Sequence, residues 1–72
     1  MPYFERLRQV REDHDMTQDD VAAILSTTRQ QVSKYETGRQ EMTVTKLAAL
    51  CRALGVSADY LLGLPRGLRW PR

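Results

Sequence analysis

Three residues, Ser26, Thr27 and Thr28, are all that separate two short helical patterns, and that gap governs how the chain can fold. Before it, Val21, Ala22, Ile24 and Leu25 form an apolar stripe; after it comes "RQQVSKYE", with Val32 and Tyr35 as its only apolar members. So short a turn makes the later helix cross the earlier one steeply instead of lying along it. A close crossing needs a small residue at the contact, where Ala22 stands, and Val32 plugs it from the other side. The first turn of the later helix is then pushed outward.

The punctuation around this pair predicts three more helices and no strands. Tyr3 to Asp13 carries Phe4, Leu7 and Val10 at helical spacing, and "HDM" breaks it. Thr17 reads as the N-cap of the second helix, with Asp20 three residues on in a capping-box position. Thr28 caps the third, which runs to about Glu36, and "TGRQEM" is a loop in which Gly38 can take a positive φ. Thr43 caps a fourth helix whose Val44, Leu47, Ala48, Leu50, Cys51 and Leu54 read mostly as core, with Gly55 at its end. Ser57 opens a short fifth, "ADYLL", ending at Gly63. This predicts an all-α domain over residues 1–63, a compact five-helix bundle, followed by a tail at 64–72.

Size and composition exclude several classes of function. Seventy-two residues make one domain with one core and leave little room for a catalytic cleft. Ser, His and Asp are present, but no spacing sets a nucleophile beside a base, and no glycine-rich loop could cradle a phosphate. The reading is therefore not an enzyme and needs no cofactor. A single Cys51 and a single His14 can make neither a disulfide nor a structural zinc site, so no metal is expected. Cys51 reads as core and His14 as an exposed turn residue. No segment approaches the ~20 apolar residues of a membrane span, and "MPYFERLR" does not open like a signal peptide. A cytoplasmic location follows as an expectation. The formal charge is only +2. Three arginines face six acids up to Ser26 (net −3), whereas eight Lys and Arg face three acids from Thr27 onward (net +5). An anionic partner is expected to prefer the later part.

The steep pair is a helix-turn-helix arrangement, which presents the N-terminal end of its second helix. With "MTQDDVAAILSTTRQQVSKYETGRQ" and, further on, "TVTKLAALCRALGVSADYLLG", the chain resembles the Cro/CI-type helix-turn-helix proteins, the XRE family. The likeness covers roughly residues 3–63: "TQ" opens the second helix, "YETG" closes the third and "LGVSADYLL" makes the last. It implies a lambda-repressor-like fold and binding to double-stranded DNA. By that resemblance Arg29, Gln30 and Lys34 face base edges. Gln18 meets a phosphate and braces the third helix, while Thr28 and the amides beside it meet backbone phosphates. Arg39 matches a phosphate-contacting loop, and Arg11 with Glu36 matches a buried ion pair joining helices one and three.

Residue chemistry agrees independently. Arg suits guanine O6/N7 and Gln suits adenine N6/N7; residues 30 and 34, four apart, share a helix face. Gln31 and Ser33 are left between phosphate and solvent. Two departures from the family stand out: Ser26 occupies a place that usually holds glycine, and Glu41 puts an acid in a loop that relatives often make basic. The fourth helix has no acid at its start, which favours a phosphate near Thr43 and Thr45.

The expectation is a transcriptional regulator, a repressor, acting as a homodimer on a pseudo-palindromic operator. One module buries too little DNA surface for high specificity, which is the argument for two copies. Leu61, Leu62, Leu64 and Trp70 are the dimer candidates; the tail could equally fold back on the domain or stay disordered. The alternatives are a restriction-modification controller, a phage Cro-like switch or an antitoxin using the same mode, and a protein-interaction module that keeps the fold without reading DNA.

Overall fold

The computed structural model describes residues 3–63, within which five helices follow one another: α1 (Tyr3–Asp13), α2 (Gln18–Ile24), α3 (Arg29–Glu36), α4 (Val44–Leu54) and α5 (Ala58–Leu62). Their starts are set locally. Thr17, Thr28, Thr43 and Ser57 each hold extended backbone and accept from the amide three residues on, meeting one of the donors that a helix start leaves unpaired. At α2 the box closes in both directions: the Asp20 amide donates to Thr17 Oγ1 at 3.1 Å, and the Thr17 amide to Asp20 Oδ2 at 2.8 Å.

The core lies where α1, α2 and α3 converge, with Leu50 of α4 and Leu61 of α5 closing it. α3 packs on α2 and α1, α4 packs on α2, and α5 bridges α1 and α4. At the α2–α3 crossing Ala22 is 5% exposed and Val32 1%, the small-against-branched contact that so short a turn demands. Burying Val32 alone contributes roughly 1.5–3 kcal/mol. The turn itself is tight: the Ser26 amide donates to the Ala23 carbonyl and the Thr27 amide to that of Ala22. Ser26 holds φ 54°, the left-handed region that a glycine would take at no steric cost, so its side chain costs about 1–2 kcal/mol there.

Two apolar assignments are corrected. Val44 is 82% exposed: the first residue of α4 points away from the α2 side, and Leu47 and Leu50 make the inward stripe instead. Leu61 is fully buried and has no surface to offer a second copy. Successive residues of a helix point about 100° apart, so with Leu61 in the core its neighbours Tyr60 and Leu62 face outward, 49% and 38% exposed. Leu64, Trp70 and the rest of the 64–72 tail lie outside the described residues.

Candidate nucleic-acid interface

α3 divides cleanly into two faces. Val32, Tyr35 and Glu36, spaced three and four apart, are buried. Arg29, Gln30 and Lys34 are exposed, and among the described residues no hydrogen bond or ion pair engages their side chains. Gln31 and Ser33, at the margin between the faces, are half-buried. Gln31 Nε2 is shut off from solvent without a hydrogen-bond partner, so its amide group belongs to the packed side of the helix. Thr28 is exposed and its Oγ1 accepts from the Gln31 amide at 3.1 Å, while the amides of Arg29 and Gln30 have no intrahelical acceptor.

The buried side is anchored by charge as well as by apolar contact. Arg11 grips Glu36 through two parallel bonds, Nε to Oε2 at 2.7 Å and Nη2 to Oε1 at 3.1 Å, and its Nη1 donates to the Met16 carbonyl at 2.9 Å. The side chains are only 13% and 5% exposed, which makes this a buried pair and not a surface one. The hydrogen bond to Glu36 raises the Arg11 pKa above its ordinary value against the opposing effect of desolvation, so the guanidinium stays charged. Gln18, at the start of α2, donates from Nε2 to Glu36 Oε1 at 3.1 Å. One carboxylate thus ties together α1, α2 and the end of α3.

Arg39 and Thr43 are exposed on either side of the loop after α3. The Arg39 amide is fixed on the Lys34 carbonyl at 3.0 Å, and Thr43 Oγ1 accepts from the Lys46 amide at 3.2 Å. Glu41 is exposed between them. Cys51 is half-buried, and burial pushes its thiol up, against the weaker pull of Arg52; it stays a protonated packing group. Among the described residues no group of three His, Cys, Asp or Glu could hold a metal ion, and no helix is long and apolar enough to cross a membrane.

Three contacts escaped the sequence reading. Lys46 Nζ donates to the Leu25 carbonyl at the end of α2, 2.9 Å away. The His14 ring nitrogens face the carbonyls of Val10, at 2.8 Å, and of Leu54, at 3.0 Å, tying the ends of α1 and α4 together. The Arg6 guanidinium lies 5.6 Å from the centroid of the Tyr60 ring and donates to the Tyr60 carbonyl at 3.3 Å. Lys46 alone left a signal. A cation in the first turn of a helix opposes the macrodipole and so calls for a partner elsewhere.

A short helix with a buried, ion-paired back and an open first turn, crossing its predecessor through a turn of four residues, Leu25 to Thr28, defines a lambda-repressor-like helix-turn-helix domain. A family model described as helix-turn-helix matches residues 7–61, and the chain belongs to that family, the XRE or Cro/CI-type DNA-binding transcriptional regulators. It is 36% identical over 62 residues to the uncharacterized HTH-type transcriptional regulator YobD of Bacillus subtilis (strain 168), a match covering 86% of this chain. The chain spans about half the length of that relative, 55%. Among solved structures it is similar to the P22 c2 repressor in complex with a synthetic operator, with a TM-score of 0.79, 29% identity, and coverage of 86% of this chain and 94% of that one. It also resembles part of FeII HppE in complex with substrate, with a TM-score of 0.76 and 29% identity over 93% of this chain but only 41% of that one.

Proposed function

We propose that this chain is a sequence-specific double-stranded DNA-binding repressor that acts as a homodimer on a pseudo-palindromic operator, with α3 in the major groove. The observation that carries the reading is the uncommitted outer face of α3. Arg29, Gln30 and Lys34 stand in solvent while Val32, Tyr35 and Glu36 hold the opposite face rigidly. Because the helix itself is already fixed, only these side chains are ordered when they meet base edges, and the resulting bidentate contacts discriminate between base pairs. Arg29 is assigned to guanine, Gln30 to adenine, and Lys34 to a base edge one turn further on.

Around this face the helix starts and loops supply backbone contacts. Thr28 with the free amides of α3, Arg39, and Thr43 at the start of α4 take phosphates. Gln18 is assigned a phosphate contact besides its bond to Glu36. Ser33 is the marginal member of this set, and Gln31, with its side-chain nitrogen buried and its backbone amide donated to Thr28 Oγ1, drops out of it. The similar P22 c2 repressor is held in complex with a synthetic operator, which supports the mode of binding. Dimer contacts would come from α5, where Leu62 is exposed beside Tyr60, together with Leu64 and Trp70 of the tail.

Selection from random-sequence duplexes tests the proposal: the chain should enrich an inverted repeat with half-sites about 34 Å apart. No enrichment at low salt would replace it with a protein-interaction module. On the selected operator Gln30→Ala should weaken binding by roughly 1–3 kcal/mol and relax preference at one base position. Titration of single-base variants checks this, and an equal loss on every sequence would move Gln30 to a phosphate. Arg39→Ala should weaken binding to all duplexes alike and make the log–log dependence on salt shallower by about one unit. An unaltered slope would remove Arg39 from the backbone contacts.

A further inference from the structure

Lys46 stands in the first turn of α4, and among the described residues no carboxylate pairs with it. Its ammonium instead donates to the Leu25 carbonyl across 21 residues of chain, in a part-buried contact of 2.9 Å. Leu25 is the C-cap of α2, and its carbonyl belongs to the group that a helix end leaves without an intrahelical donor. The next residue, Ser26, carries the left-handed φ of 54°, and α3 begins at Arg29, three residues further on. Backbone bonds hold the amides of Ser26 and Thr27; among the described residues no backbone amide holds the Leu25 carbonyl.

We infer that Lys46 is a positioning residue for DNA reading. Its ammonium closes the end of α2 and holds the strained turn at Ser26, fixing the angle at which α3 presents Arg29 and Gln30. The inference rests on the proposed function, since an angle matters only if α3 reads bases. Three features assign the role to this side chain. The contact lands on the hinge peptide itself and not along either helix. A cation also suits the negative end of α2 as well as it disfavours the start of α4. Finally, the turn needs an external hold because Ser26 carries a side chain where glycine would be unstrained. α4 packs on α2, so Lys46 is referenced to a fixed part of the core.

The test compares wild type with Lys46→Met, which keeps the aliphatic stem, and Lys46→Arg, which keeps a donor. In the free protein, amide hydrogen exchange is read at Ser26 and Thr27 against Leu7 and Val10 of α1. Lys46→Met should speed exchange at the turn about five- to tenfold while leaving α1 unaltered, and Lys46→Arg should retain slow exchange there. On the selected operator Lys46→Met should bind about tenfold more weakly, with affinity for a scrambled duplex and the salt slope unaltered. Unaltered exchange at Ser26 and Thr27 would overturn the inference. So would a loss on every duplex with a slope shallower by about one unit, which marks a direct phosphate contact. If wild type itself selects no operator, the proposed function fails, and the exchange comparison still decides whether Lys46 holds the turn.

Discussion

Glu36→Ala is expected to lower the unfolding free energy by about 3–5 kcal/mol, the usual cost of removing one partner from a buried ion pair. The carboxylate is 8% exposed as a residue and accepts from Arg11 Nε, Arg11 Nη2 and Gln18 Nε2. Deleting it leaves a guanidinium in a site only 13% exposed, retaining one bond to the Met16 carbonyl. Arginine cannot escape by losing its proton, so the charge remains and must either draw in water or break the α1–α3 contact. Small domains have stabilities near the low end of about 5–15 kcal/mol, so the variant should be partly unfolded at room temperature.

The surface pair Arg8–Glu12 is the internal control. Its partners are 3.5 Å apart but 64% and 54% exposed, and Glu12→Ala should shift stability by less than about 1 kcal/mol. Urea titration followed by circular dichroism measures both. The double variant Arg11→Met, Glu36→Leu should recover much of what Glu36→Ala loses, because an apolar pair leaves no charge stranded. A Glu36→Ala loss no larger than that of Glu12→Ala would show that the pair does not hold α3 in place.

How much of this was legible beforehand depends on the range of each interaction. Helix starts were readable because a cap is written within four residues: Thr17 with Asp20, Thr28, Thr43 and Ser57 name their own helices. The outward face of α3 was readable because its apolar residues repeat at three and four. The inward or outward direction of single apolar residues at helix ends was not. Val44 and Leu47 look alike in sequence, and only the packing of α4 on α2 sets one in solvent and the other against the core. The same holds for Leu61 and Leu62 on a helix of five residues, too short for periodicity to choose a face. His14 and Lys46 find carbonyl partners 40 and 21 residues away. A carbonyl has no residue identity, so no pairing of side-chain types could have announced those bonds. The Arg11–Glu36 pair, 25 residues apart, was named through the family resemblance and not through spacing.

Gly38→Ala is expected to cost about 2–5 kcal/mol, from two separable causes. The first is backbone conformation: Gly38 holds φ 77°, where an L side chain costs about 1–2 kcal/mol. The second is space. A methyl group built there would lie 2.8 Å from Phe4 Cε1 and 3.0 Å from Cδ1 and Cζ, so the ring must swing away, at roughly 1–3 kcal/mol. Phe4 is half-buried on α1, edge-on to Tyr3 with centroids 6.0 Å apart, and moving it disturbs the same α1–α3 contact that Glu36 secures. A double-variant cycle separates the causes. In a Phe4→Ala background Gly38→Ala should cost only the backbone part, so a coupling near zero would deny the ring contact. The turn also directs Arg39, whose amide bonds to the Lys34 carbonyl. In a sample kept folded by low temperature, Gly38→Ala should therefore weaken DNA binding to all sequences alike, as Arg39→Ala does, while the preference at the position read by Gln30 stays intact.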